Sequence, residues 1–182
     1  MTNPETNVAP KVHYTGKALL NMPPQQVYAV FKLRVDVFVN EQRAPFAEID
    51  EIDAHPGTHH IMGYVHPGSD PTSPWGAPDA GSPLRLAGTC RVFGPAEAQH
   101  IGRICVAEDL RGHGIAKQLV LEALEVCEAR AAALDPTTQK AIVKLDAQTY
   151  LTKFYESFGF EVVGDPFDMD GVEHVEMHKT LS

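Results

Sequence analysis

His100-Ile-Gly-Arg-Ile-Cys-Val-Ala-Glu-Asp-Leu-Arg-Gly-His-Gly-Ile-Ala-Lys117 decides how this chain reads. The branched run from His100 to Val106 predicts a strand. Arg111-Gly112-His113-Gly114 turns the chain, and Ile115, Leu119, Ala123, Val126 and Cys127 then recur at spacings of three and four. That period predicts a long helix over 111–134 with one buried face, ended by Asp135-Pro136. The first amides of a helix have no partner within it, and the peptide dipoles add positive charge there. Gly112 and Gly114 remove side chains that would hold a ligand away, so a phosphate or pyrophosphate can rest on the backbone. Arg111 and Lys117 make the loop locally basic. A bare strand-to-helix turn would use the same glycines. Two other phosphate loops do not fit. The dinucleotide fingerprint needs a third glycine where position 117 is Lys, and Gly16-Lys17 is followed by Ala18 instead of the Ser or Thr of a P-loop.

Working outward, His13–Leu19 predicts a first strand. Asn21-Met22-Pro23-Pro24 opens a helix that runs through Val27, Val30, Phe31 and Arg34 and continues along Val35–Val39 until Ala44-Pro45 breaks it. His60–Val65 and Leu84–Phe93 predict two strands around a Pro/Gly/Ser-rich stretch, 66–83, read as a long hairpin loop that is either functional or a solvated insertion. Downstream come a strand at Ala141–Leu145 and a helix at Tyr150–Phe158 capped by Gly159. Two closing strands, Phe160–Val163 and Glu173–His178, are joined at Asp170-Gly171. Helices among strands predict an α/β or α+β sheet protein. Residues 1–11 read as a polar leader and 12–182 as one domain.

Composition narrows the function. At 182 residues the chain is long enough for one core without disulfides or structural metal. Fifteen Lys and Arg against 24 Asp and Glu give a net charge of -9, which opposes nucleic-acid and membrane-surface binding and mildly favours a cationic substrate. No secretory signal or membrane-spanning run is present, and Cys90, Cys105 and Cys127 form no CxxC pair, so a reducing cytoplasm is expected. His55, His59, His60 and His66 lie around Pro-Gly turns without metal-ligand helical pairing, so no metal is expected.

Arg111-x-x-Gly114-x-Ala116, set between a strand and an amphipathic helix, resembles the acetyl-CoA signature of the GNAT N-acetyltransferases. Thr149-Tyr-Leu-Thr-Lys-Phe-Tyr-Glu-Ser-Phe-Gly-Phe160 is similar to the FYExxGF segment of that family. Val37-Phe-Val-Asn-Glu-Gln42, Ala44–Asp50, Asp53, His60–Gly63, Ala147-Gln148 and Asp170–His174 resemble its ElaA-like branch. Ala44 and Glu173 depart from that branch, which often has Cys and Pro there. The resemblance implies a mixed, mostly antiparallel twisted sheet flanked by helices, with a splay between the strand at 100–106 and the strand at 141–146. It implies acetyl-CoA as co-substrate, with Arg111, Gly112, His113, Gly114, Ile115, Ala116 and Lys117 at its pyrophosphate. Ile104, Cys105 and Val106 would lie along its pantetheine arm, the Ile104 N–H donating to the thioester oxygen.

The same resemblance makes Tyr155 the acid that protonates the departing thiolate. His100, near where some relatives place a base, and His174, in the ElaA-like ending, are candidates to deprotonate the amine. An imidazole titrates near pH 6.5, as the task requires, but either histidine alone is equally a packing residue. Glu41, Glu48 and Glu51 are further candidates. The acceptor would be a small-molecule or peptide amine, and such proteins often form homodimers. Two other readings stay open. Arg34, Phe38 and Glu48-x-Asp50-x-x-Asp53 also resemble the acyl-homoserine lactone synthases, whose acidic residues hold S-adenosylmethionine. A module that binds acyl-CoA without turning it over is the other.

Overall fold

Branched and aromatic runs supply the strands, and the computed structural model, which describes residues 10–44, 47–66, 84–134, 140–169 and 171–181, joins them into one sheet. The strands are β1 (Val12–Lys17), β2 (His59–Val65), β3 (Arg85–Phe93), β4 (Ala98–Val106), β5 (Ile142–Gln148), β6 (Glu161–Met169) and β7 (Val172–Thr180). Their order is β1-β2-β3-β4-β5-β7-β6. Every neighbouring pair is antiparallel except β4 with β5. Residues 67–83, Pro45 and Asp170 lie outside the described residues, as do Asp135 and Pro136 at the predicted helix stop.

The helices cover the two faces unequally. Helix α3 (Ile115–Ala131) buries Ile115, Leu119, Val120, Ala123, Leu124 and Cys127 on one face of β3 and β4. Each large aliphatic side chain so buried contributes about 1.5–3 kcal/mol. Gly88 in β3 lets the start of α3 approach, since a Cβ there would lie 3.0 Å from Leu119 Cδ1 and 3.2 Å from Ile115 Cγ2. Helix α1 (Pro24–Arg34), opening on two prolines, packs on the other face around Val30, Met62, Tyr64 and Leu86. It widens into a π-type segment at Val35–Glu41, closed by Gln42 N–H donating to the Val37 carbonyl at 2.9 Å. The remaining helices, α2 (Glu51–Ala54) and α4 (Thr152–Glu156), are short.

The structure differs from the sequence expectations at element ends. The helix predicted from residue 111 starts at Ile115, because Gly112 and Gly114 hold φ of +82° and +77° and cannot continue a helix. The predicted 150–158 helix is a 3₁₀ turn, Thr149–Leu151, followed by α4. Gly159, at φ +84°, caps it by letting Phe160 N–H reach the Tyr155 carbonyl at 3.4 Å. The closing strands run longer than expected, since pairing with each other carries them past their apolar cores.

Beneath α1 lies a buried ionic cluster. Arg34, 1% exposed, donates from Nη1 to Asp53 at 2.6 Å and from Nε to Glu48. Arg91 donates to Asp50 at 2.6 Å and Asp53 at 2.8 Å, and Arg103 lies 2.9 Å from Glu48. Despite its burial, Asp53 is held at a pKa of about 2 by the Arg34 and Arg91 guanidiniums. Burial instead pushes Glu48 up against the opposing pull of Arg34.

Candidate active site

Strands β4 and β5 pair only from Ala98–Ile142 to His100–Lys144, and then part. The cause sits in β4. Thr89 and Arg91 of β3 oppose Cys105 and Gly102, so β4 carries one extra residue in the interval. Arg103 adopts φ +54° within this bulge, a conformation favoured by few residues other than glycine. The extra residue reverses side-chain parity. Ile101 before the bulge and Val106 after it both face α3, while Cys105 faces the Arg34 side. Beyond the fork the facing edges of β4 and β5 are unpaired among the described residues.

A cleft of about 760 Å³ opens at the fork. Ile104, Cys105 and Val106 line one side, Gln148, Tyr150 and Leu151 the other, and Gly112 to Lys117 the far end, with His113 on the loop but not in the wall. None of the amides from Gly112 to Lys117 donates to an acceptor among the described residues. A Cβ at Gly112 or Gly114 would meet nothing within 4 Å, so the loop's outer surface is open. Such a row of free amides at a seventeen-residue helix fits a diphosphate, and the apolar channel leading from it fits an extended acyl-pantetheine chain. The Arg111 guanidinium does not face outward as free charge. It forms a fork with Glu41 at 2.5 and 2.7 Å and donates from Nε to the Val106 carbonyl at 3.2 Å. That bond holds Glu41 below the usual carboxylate range. Lys117 is exposed and forms no ion pair among the described residues.

A second cavity of about 240 Å³ lies on the other side of the fork. His100, Asp146 and His174 line it with Phe38 and Phe93, whereas Ile104, Gln148, Tyr150 and Tyr155 are among the residues that belong to both cavities. Tyr155 is 7% exposed and edge-packed on Phe154 and Phe160, and its hydroxyl has no hydrogen-bond partner among the described residues. Burial pushes its pKa strongly upward, so the phenol stays protonated. His100 stacks on Phe93 at 5.1 Å, and burial together with the Lys144 charge lowers its pKa. The His174 Nδ1 donates to the Val172 carbonyl at 2.8 Å, leaving Nε2 as the acceptor in the neutral ring.

A family model described as an acetyltransferase (GNAT) domain matches residues 82–181. The chain belongs to the GNAT acetyltransferase family. It is 32% identical to protein ElaA of Escherichia coli K12 over 159 residues, covering 86% of this chain and 88% of that one. The crystal structure of Escherichia coli ElaA superposes with a TM-score of 0.73 at 28% identity, covering 93% of this chain and 99% of that one. A Pseudomonas aeruginosa acyl-CoA N-acyltransferase also gives a TM-score of 0.73, at 27% identity and the same coverage. A CoA-dependent acyl-homoserine lactone synthase shares the fold alone, at a TM-score of 0.66 and 16% identity, covering 94% of this chain and 83% of that one. This GNAT member is thus an acyltransferase using an acyl-CoA co-substrate.

Tyr155 and Ile104 line both cavities, His100 and His174 line only the second, and Cys105, Val106 and the loop 111–117 apart from His113 line only the first. Glu41 is tied to Arg111, Glu48 is buried among arginines, and Glu51 lines neither cavity. Among the described residues no three His, Cys, Asp or Glu converge as metal ligands, and no helix is long and apolar enough to cross a membrane. His60 instead bonds the Asp53 carbonyl at 2.9 Å, and His55 accepts from Gly57 N–H at 3.0 Å. Cys105 lines the large cleft, but burial pushes its thiol up to about 12, which leaves it unreactive. Sequence reasoning misses Asp146 and gives Gln148, noted only in the Ala147-Gln148 pair, no place at the site. Their signal is the polar alternation Lys144, Asp146, Gln148 in a strand whose other residues are apolar.

Proposed function

We propose that the chain is an N-acetyltransferase moving an acetyl group from acetyl-CoA to a primary amine by direct transfer. One observation carries the reading: Tyr155 and Ile104 form the wall shared by the acyl-CoA cleft and the second cavity, so a thioester reaching the fork would meet an amine from the other side. His100 takes a proton from the ammonium, and His174 lies across the same cavity. The freed lone pair attacks the thioester carbon, and the developing oxyanion accepts from the Ile104 N–H. Collapse breaks the C–S bond, and the thiolate takes the Tyr155 hydroxyl proton. The amide nitrogen sheds its second proton, and the tyrosinate is reprotonated. The net products are amide, free thiol and one proton. The supply of acetyl-CoA favours the cytoplasm as the setting.

The acids that resemble an S-adenosylmethionine site argue for amine transfer. Glu48, Asp50 and Asp53 are each paired with an arginine, leaving none to receive a sulfonium. Thiol release across an amine panel, with and without S-adenosylmethionine, tests the choice. Release that requires S-adenosylmethionine would reverse it. Release with no amine, despite measurable CoA binding, would leave only a binding module.

Two further outcomes are expected. Gly114→Val places a branched side chain at φ +77°, costing about 1–2 kcal/mol in strain, and pushes methyl groups into the space above the loop amides. Calorimetry should show CoA affinity down by at least about a hundredfold, the scale of losing two charge-assisted hydrogen bonds. Unchanged affinity would separate the loop from the diphosphate. For pH, His100 must be neutral to accept a proton. Its pKa lies below 6.5, with Lys144 lowering it and Asp146, Glu176 and His178 also facing it. kcat/KM should therefore hold as pH falls to 6.5 and drop only below it, and His100→Gln should abolish that limb.

A further inference from the structure

Beyond His100, β5 and β7 turn one face toward the second cavity, with Lys144 opposite His178, Asp146 opposite Glu176, and Gln148 opposite His174. Helix α1 packs mainly on β3 and β4, away from this part of the sheet. The charges here are unevenly satisfied. Arg91 and Arg103 reach the cavity wall but are bound to Asp50, Asp53 and Glu48. Lys144 lies 3.6 Å from Glu176, which also bonds His178. Asp146 alone among the charged lining residues has no hydrogen bond or ion pair among the described residues, and it is exposed on the cavity side. Aromatic rings line the same cavity. Phe93 is covered by His100 and by the Arg91 guanidinium at 5.2 Å, while Tyr150 is 73% exposed.

Resting on the amine-acetylation reading, we propose that the acceptor is a primary arylalkylamine, its ammonium held by Asp146 and its apolar body laid against Tyr150. An unpaired carboxylate attracts a cation, and ring faces favour both cations and apolar surface. A carboxylate on the amine finds no free cation among the described lining residues, since both guanidiniums are neutralised. A second ammonium, as in a polyamine, finds no second free carboxylate among the described lining residues. The class is therefore monocationic, carboxylate-free and partly apolar. Asp146 acts as a positioning residue that sets the nitrogen beside His100.

Calorimetry on the CoA-bound protein tests this with phenethylamine, phenylalanine, spermidine and phenethyl alcohol as probes, followed by thiol release from acetyl-CoA with each amine. Phenethylamine should bind at least about tenfold tighter than the other three, the scale of one charge-assisted hydrogen bond. Asp146→Asn, isosteric at an exposed position, should raise the KM for phenethylamine about tenfold or more while CoA affinity and melting temperature hold. Tyr150→Ala, at a second exposed position, should weaken phenethylamine without sharpening discrimination against phenylalanine. Equal binding of phenylalanine or spermidine, or no KM change in Asp146→Asn, overturns the assignment. Thiol release with other amines but no phenethylamine binding overturns it while amine acetylation stands. Phenethylamine binding without release upholds the site and overturns acetylation.

Discussion

Tyr155→Phe is expected to lower kcat about 10²- to 10⁴-fold, the range of general acid catalysis, while CoA affinity changes by less than about threefold. The substitution removes one oxygen and keeps the ring, so edge packing on Phe154 and Phe160 survives. The lost hydroxyl has no hydrogen-bond partner among the described residues, so its removal orphans no buried group and stability should hold. That combination makes the variant informative, because a purely structural tyrosine would show the reverse pattern. Burst kinetics of thiol release, with calorimetry for CoA, provide the measurement. A kcat within about threefold of the parent would remove Tyr155 from the chemistry.

Arg34→Met should produce the largest loss of stability. The guanidinium is 1% exposed and bonds Glu48 and Asp53, which are 4% and 1% exposed. Removing one partner of a buried pair leaves uncompensated charge and costs about 3–5 kcal/mol. Arg91 and Arg103 still face the same carboxylates, which favours the lower end. For a chain of this length that is a fall of roughly 6–20 °C in melting temperature. Thermal unfolding near pH 7 gives the test, and a fall under about 2 °C would mean that the remaining arginines carry the cluster alone.

The order and type of the main elements can be read from the chain because each has its own period. A buried run marks β3, alternation marks β5, and three-four spacing marks α3. Gly112 and Gly114 mark the loop by their spacing alone, since only a turn or a close ligand calls for two glycines so placed. Other features need three dimensions. The pairing of Arg34 with Glu48 and Asp53 spans 14 and 19 residues and has no local signature. Arg111 reads as a free cation because Glu41 lies 70 residues away in sequence. Nothing about Arg103 in the sequence announces its φ of +54°, because the bulge is fixed by how β3 and β4 pair. The polar alternation of β5 marks Asp146 as facing away from the core, but not its role, for a similar reason. Its importance lies in what fails to pair with it.

Where β4 and β5 part, the sheet is left one ladder short. An extended guest that bonds those edges adds the missing rungs and binds only the native form. By mass action, occupancy at a hundredfold excess over Kd adds about 2.7 kcal/mol to resistance against unfolding. The survival of such a polypeptide against cellular proteolysis would then follow the abundance of the metabolite that fills the gap, coupling turnover of the catalyst to its fuel.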